Sequence, residues 1–297
     1  MYHNPVLLNQ SVDGLAIIPN GIYVDVTFGG GGHSRLMLEK MQGGKLIAFD
    51  QDADALSNVP DDDRFIMVSQ NFRYLKNFLR LHGFEKVDGI LADLGVSSHQ
   101  FDEAERGFST RFDADLDMRM NRSQSQTAAD ILNTYSQYDL SRVFNDYGEI
   151  KSSFRLAKSI CEFRESQELK TTAQLNGIIS EIFPPTRINK FQAMVFQALR
   201  IEVNNEMEVL KSFLKQAADV LSPGGRLVVI SYHSLEDRLV KNFIRSGNFK
   251  GEIEKDFYGK HLVDFKIISR KAIIPDEEEI KENSRARSAK MRIAEKL

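Results

Sequence analysis

The chain has 297 residues and a mass of 33.8 kDa, enough for about two domains at roughly 150 residues each, or for one core with a large insertion. Its 42% hydrophobic content, with 19 glycines, is that of a globular protein and excludes collagen-like and disordered classes. Lys and Arg number 39 against 42 Asp and Glu, a net charge of −3, so any affinity for nucleic acid must come from local patches rather than from a global field.

The single cysteine, Cys161, rules out an intramolecular disulfide and a cysteine-cluster metal site, and it suits a reducing compartment. No window approaches the roughly 18 to 20 apolar residues that span a bilayer, since even Gly224 to Ile230 is bounded by polar residues. Met1 to Gln10 lacks the cationic, apolar and small-residue succession of a secretory signal. The expectation is a cytoplasmic protein with no membrane partner, its oligomeric state open between monomer and homodimer.

Along the chain, Tyr23 to Thr27, Leu46 to Phe49, Phe65 to Val68 and Gly89 to Ala92 are short runs rich in Ile, Val, Leu and Phe, bounded by Gly, Pro or Asp. Such runs predict strands buried on both faces of a parallel sheet. A fifth strand, Arg226 to Ser231, is expected after the turn Ser222-Pro-Gly-Gly225. Well over a hundred residues separate the fourth and fifth strands, far more than one crossover helix needs.

That insertion reads as helical. Thr127 with Asp130 and Thr171 with Gln174 have capping-box spacing, and Leu175, Ile178, Ile179 and Ile182 share one face. Leu140, Val143 and Phe144, and Phe154, Leu156, Ile160 and Phe163, are read as further core stripes. Residues 151 to 200 carry eight Lys and Arg against four Glu, a module suited to a polyanion. Beyond the fifth strand, further strands are expected near Phe265 to Ile268 and Ala289 to Ala294. The acidic run Pro275 to Glu279 reads as a solvated loop, and Lys281, Arg285, Arg287, Lys290, Arg292 and Lys296 make the end basic. The expected division is 1–104 and 207–297 for the core and 105–206 for the inserted helical domain.

The most informative stretch is Asp25-Val-Thr-Phe-Gly-Gly-Gly-Gly-His-Ser34, between the first strand and the first helix. Its glycines let a ligand approach the backbone, and Asp50, 21 residues beyond Gly29, stands where a carboxylate accepts from the hydroxyls of an adenosine ribose. A nicotinamide dinucleotide favours a third glycine where Ser34 stands and calls for a cleared helix N-terminus. S-adenosylmethionine has no pyrophosphate, and its sulfonium suits the carboxylates Asp25 and Asp93. Asn71, Phe72, Ser97, Ser98, Gln100, His233, Glu236 and Asp237 fall at the same carboxyl-end edge, where open α/β sheets bind ligands. Phe72 offers a stacking face for adenine. His233 reads either as a base or phosphate contact, or as a histidine fixed by Glu236 or Asp237. No second histidine or cysteine stands at metal-ligand spacing, so no metal is expected.

With these pieces together, the chain resembles the RsmH (MraW) family of S-adenosylmethionine-dependent methyltransferases. The resemblance rests on His3 with Pro5-Val-Leu-Leu8, on the 25–34 block, and on Asp93-Leu-Gly-Val-Ser-Ser-His-Gln100 and Arg106-Gly-Phe-Ser109. It continues in Leu116-Asp-Met-Arg-Met120, Phe196-Gln-Ala-Leu-Arg-Ile201, Ser222-Pro-Gly-Gly-Arg226, Ser231-Tyr-His-Ser-Leu-Glu-Asp-Arg238 and Asn283-Ser-Arg-Ala-Arg-Ser288. It implies a class I, Rossmann-like α/β fold with a mostly parallel doubly wound sheet and an inserted all-helical substrate domain. The implied activity is methylation of the exocyclic N4 of a cytidine in the decoding centre (P site) of 16S rRNA in the small ribosomal subunit.

Carried over residue by residue, the resemblance places S-adenosylmethionine on Gly31, Gly32, His33, Asp50, Phe72, Asp93 and Gln100. Arg119, His233, Arg285 and Arg287 are candidates for the substrate. The departure is Met194, where many members have an arginine. Many amino methyltransferases handle the amine with an Asp/Asn-Pro-Pro-Tyr/Phe turn after the fourth strand, and here that place reads Asp93-Leu94-Gly95-Val96. The proton acceptor is therefore open among Asp93, Ser97, Ser98 and His233, with an apolar slot for the splayed base expected near Phe108 and Leu116. Two rivals stand beside this reading, a non-catalytic ribosome-assembly factor and a DNA amino-methyltransferase.

Overall fold

The structure is a computed structural model that describes residues 5–297, apart from the side chain of Ser98. His3 and the Ser98 hydroxyl therefore lie outside the described residues. The chain divides into two compact units. One comprises the residues up to Gly95 together with Met207–Leu297, and the other is Val96–Glu206.

In the first unit the apolar runs Ile22–Asp25 (β1), Lys45–Phe49 (β2), Phe65–Val68 (β3) and Val87–Asp93 (β4) pair in parallel, and Leu221–Ser231 (β5) joins them beside β4. Phe265–Ile267 (β6) and Lys290–Lys296 (β7) complete the sheet in antiparallel pairings, giving the order β3-β2-β1-β4-β5-β7-β6. The chain steps outward from β1 to β3 and then returns to β4 on the other side of β1. That reversal opens a crevice at the carboxyl ends of β1 and β4, the place where such sheets bind ligands.

Side chains alternate across the sheet with a period of two. Val24, Ile47, Ile90, Leu227 and Val229 pack on one face with Leu210, Phe213 and Leu214 of the helix Glu206–Val220. Tyr23, Leu46, Leu91, Val228 and Ile230 pack on the other with Met37 and Leu38 of the helix Gly32–Lys40. Both faces are covered, which explains the near-continuous apolar reading of the central strands.

Two expectations change here. Residues 222 to 225 do not precede β5 but bulge out within it, because Val87 is opposite Leu221 and Gly89 is opposite Arg226. The acidic run is not a solvated loop. Asp276 caps the helix Glu277–Glu282 by accepting from the Glu279 N–H at 2.8 Å, and the Glu279 carboxylate accepts from the Leu7 N–H at 2.6 Å. Acids in a first helical turn suit the positive end of the macrodipole.

The second unit is helical. Thr127 and Thr171 cap the helices Ala128–Thr134 and Thr172–Ile182 through the expected reciprocal boxes. The core gathers Ile131, Leu140, Phe144, Leu156, Ile160, Leu175, Ile179 and Leu199. Phe108 and Leu116, expected near an open slot, are consumed in this core at 4% and 1% exposure. Phe154 leaves its expected stripe and is 61% exposed. At about 100° per residue it lies some 200° from Leu156, so both cannot face the core. Met194 and Cys161 pack half-buried against the same core.

Candidate active site

The glycine turn owes its composition to packing as well as to ligand access. Gly31 sits at φ +75° as the N-cap of the helix Gly32–Lys40, and a Cβ there would lie 2.9 Å from the Phe28 ring. At Gly32 a Cβ would lie 2.2 Å from Cγ of Pro5. Glycine is needed at both places before any ligand is considered. The turn is pinned by Asp50, whose Oδ2 accepts from the Gly29 N–H at 2.8 Å while Oδ1 accepts from the Asp52 N–H at 2.9 Å. Burial raises this carboxyl to about 6, against the pull of those two N–H groups. Each oxygen retains a lone-pair direction for a further donor.

Asp25 ends β1 and is buried. Its Oδ2 accepts from the Ser34 hydroxyl at 2.7 Å and its Oδ1 from the Thr27 N–H at 3.1 Å. Asp93 ends the neighbouring β4, with its N–H donated to Thr27 Oγ1 at 2.7 Å. Its Oδ1 accepts from the hydroxyl of Tyr232 at 2.8 Å. Burial pushes Asp93 up to about 7, opposed by the Tyr232 hydrogen bond and reinforced by Asp25 and Glu236. Carboxylates thus stand at the ends of β1 and β4 and just past β2, as the sequence implies. Of the residues that hold two of them, Ser34 enters the sequence reading only as the residue in place of a third glycine, and Thr27 and Tyr232 only within motif blocks. Thr27 and Ser34 lie inside the glycine motif, where a hydroxyl two and nine residues after an acid is a readable signal. Tyr232 carries no such signal, because its partner is 139 residues away.

Over residues 1–297 the sequence matches the family described as the MraW methylase family. The chain belongs to that family. It is 59% identical over its full length to the "Ribosomal RNA small subunit methyltransferase H" of Flavobacterium johnsoniae, covering 98% of that protein. It is 56% identical to the proteins of the same name from Christiangramia forsetii, with 100% of this chain and 98% of that one aligned, and from Bacteroides thetaiotaomicron, with 99% and 97% aligned. This MraW-family chain is a methyltransferase with an α/β fold built on a mostly parallel seven-stranded sheet, and S-adenosylmethionine is its methyl donor.

The residues present fit that donor. Asp50 has acceptor capacity left for hydroxyls, and Asp93 is a carboxylate suited to a sulfonium cation. Phe72, in the short turn Phe72–Tyr74, is held edge-on against Phe213 with centroids 5.4 Å apart. Its position is fixed by Asn71, which accepts from the Arg73 N–H and donates to Gln51.

The other candidates of this methyltransferase have more local engagements. The buried His33 ring approaches the Val6 carbonyl with Nε2 at 3.2 Å. A carbonyl only accepts, so Nε2 carries the proton, and burial lowers the ring to about 4 and keeps it neutral. Gln100 is buried in the helical unit and closes a capping box with Ser97. His233 accepts from the Glu236 N–H through Nδ1 at 3.4 Å as the N-cap of the helix Ser234–Ser246, and its Nε2 lies 3.3 Å from Glu236 Oε1. Asp237 instead pairs with Arg292 at 2.6 Å. Of the two readings of His233, the structure displays the fixed histidine. Arg119 is paired with Asp117 at 2.7 Å and 2.9 Å. Arg285 and Arg287 flank buried Ala286 in the turn Ser284–Ser288, and Arg287 is exposed. Among the described residues, no helix is long and apolar enough to cross a membrane.

Proposed function

We propose that this protein is a cytoplasmic enzyme that methylates the exocyclic N4 of a cytidine in the decoding centre (P site) of 16S rRNA, within the small ribosomal subunit. The observation that carries the reading is the glycine turn after β1 flanked by Asp50 and Asp93 at the tips of its two neighbouring strands. It is supported by the alignment of nearly every residue with relatives named for small-subunit ribosomal RNA methylation.

In this reading Asp50 receives ribose hydroxyls and Phe72 lies along the adenine. Gly31, Gly32 and the main chain of His33 form the floor, and Asp93 lies toward the cationic sulfur. S-adenosylmethionine supplies an electrophilic methyl group on a cationic sulfur. The protein's contribution is to orient the amine and to exclude water. Residues 105–206 serve as the substrate-recognition module, with Arg285 and Arg287 on the RNA. Arg119 and His233 join them only by giving up their present partners.

The test is transfer of a labelled methyl group to small subunits from unmodified cells, followed by nucleoside analysis. N4-methylcytidine is the expected product. Label on another nucleoside, or on DNA in preference to small subunits, would refute the assignment.

A further inference from the structure

Asp93 is gripped from two sides. Its own N–H is donated to Thr27 Oγ1 at 2.7 Å, and its Oδ1 receives the hydroxyl of Tyr232 at 2.8 Å. Tyr232 is itself anchored, because it follows β5 directly and donates its backbone N–H to Glu236 Oε2 at 2.9 Å. Its ring lies alongside the chain leaving β4, where a Cβ on Gly95 would sit 3.5 Å from ring carbon Cδ2. Among the described residues, Asp93 Oδ2 accepts no hydrogen bond. A carboxylate with one oxygen held and the other open is arranged to accept a proton in one direction.

We propose that Tyr232 is the positioning residue for proton transfer, holding Asp93 so that Oδ2 receives the proton of the attacking amine. The inference rests on the exocyclic-amine reading above. It also supplies what the segment after β4 lacks, since Leu94-Gly95-Val96 has neither the prolines nor the aromatic side chain of the usual amino-methyltransferase turn. Here the aromatic residue comes from the end of β5 instead.

In the step, the substrate nitrogen forms its bond to the methyl carbon as the carbon–sulfur bond breaks, and that electron pair stays on sulfur. The nitrogen, now cationic, gives its proton to Asp93 Oδ2. Asp93 becomes a neutral acid and returns the proton to solvent. The charged and titratable groups facing this pair are Asp25 from β1, Glu236 from the helix Ser234–Ser246 and, toward Tyr232, Glu279. Asp25 and Glu236 oppose ionisation of Asp93, and Glu236 and Glu279 oppose that of Tyr232. Burial, together with Asp93, Glu236 and Glu279, puts Tyr232 well above its ordinary value and keeps it a donor. Removing its hydroxyl withdraws the interaction that lowers Asp93.

The experiment compares wild type with Tyr232→Phe, which keeps the ring. Carbon-detected NMR titration of the carboxyls in the donor-free protein should show Asp93 shifted upward by about one pH unit, the scale of one hydrogen bond to a charged group. The acid limb of kcat for methyl transfer to small subunits should move up with it. Affinity for S-adenosylmethionine should stay within about twofold by calorimetry at about pH 9, where Asp93 is ionised in both proteins, and the lost rate should return at high pH. Asp93→Asn should lose turnover by about a hundredfold or more at every pH. If N4-methylcytidine forms but both titration and rate profile stay in place in Tyr232→Phe, Tyr232 does not position Asp93 and the inference falls alone. If small subunits accept no methyl group on a cytidine amine, the functional reading fails and the proton-transfer role falls with it, whatever the titration shows.

Discussion

Asp50 is occupied before any donor arrives, holding the N–H groups of Gly29 and Asp52. Asp50→Ala therefore removes acceptors from the ribose and from the turn at once. The expected result is a loss of donor affinity of about a hundredfold, near 2.7 kcal/mol, with a stability loss of about 1 to 2 kcal/mol and an intact sheet. Calorimetry and urea unfolding measure the two parts, and unchanged donor affinity would contradict the site. Titration offers a second check at this scale. Asp50 and Asp93, at about 6 and about 7, lie above the value near 3.9 of a free aspartate. The folded state then binds protons more tightly, so these groups withdraw stability as pH rises from about 4 to about 7. His33, lowered to about 4, works in the opposite sense and withdraws stability as pH falls below about 6.5. The stability of Asp93→Asn relative to wild type should therefore climb across pH 4 to 7 in urea unfolding. A constant difference would show that Asp93 is not shifted. Asp50 and Asp93 were legible because each stands at the end of a short apolar run. Tyr232 was not, because its role depends on the lateral neighbourhood of β4 and β5, which chain order does not state.

Among the elements, the helix Ser153–Arg164 shows how a stripe can be misread. Leu156 and Ile160 are buried and Phe154 is 61% exposed. Phe154→Ala should change stability by less than about 0.5 kcal/mol, whereas Leu156→Ala should cost about 2 to 5 kcal/mol. Urea unfolding separates the two, and equal costs would put Phe154 back in the core. The capping boxes at Thr127 and Thr171 were readable because both partners lie within one turn. The onset of β5 was obscured for the opposite reason. Ser222-Pro-Gly-Gly225 has turn chemistry, yet the strand pairs with β4 on both sides of it. In the same way the acids at 276 to 279 read as solvated until one of them is seen holding the backbone of Leu7.

Across the whole molecule, a chain that nearly balances its charges keeps its basic residues local. Arg285 and Arg287 lie on a turn anchored by buried Ala286, so replacing both with Glu leaves that anchor in place. Arg285→Glu with Arg287→Glu should weaken small-subunit binding by tenfold or more at physiological salt, with S-adenosylmethionine affinity unchanged. Filter binding and calorimetry check the two halves, and equal effects on both ligands would count against an RNA role. By itself the sequence determined the strands, the insertion between β4 and β5, the glycine turn and its acids, because each is written in local apolar periodicity or in a contiguous motif. The tertiary structure alone decided that Gly31 and Gly32 are demanded by Phe28 and Pro5, that His33 serves a carbonyl, and that Tyr232 meets Asp93. These are contacts between segments far apart in the chain, and a one-dimensional pattern carries no record of which distant side chain fills the space beside a given atom.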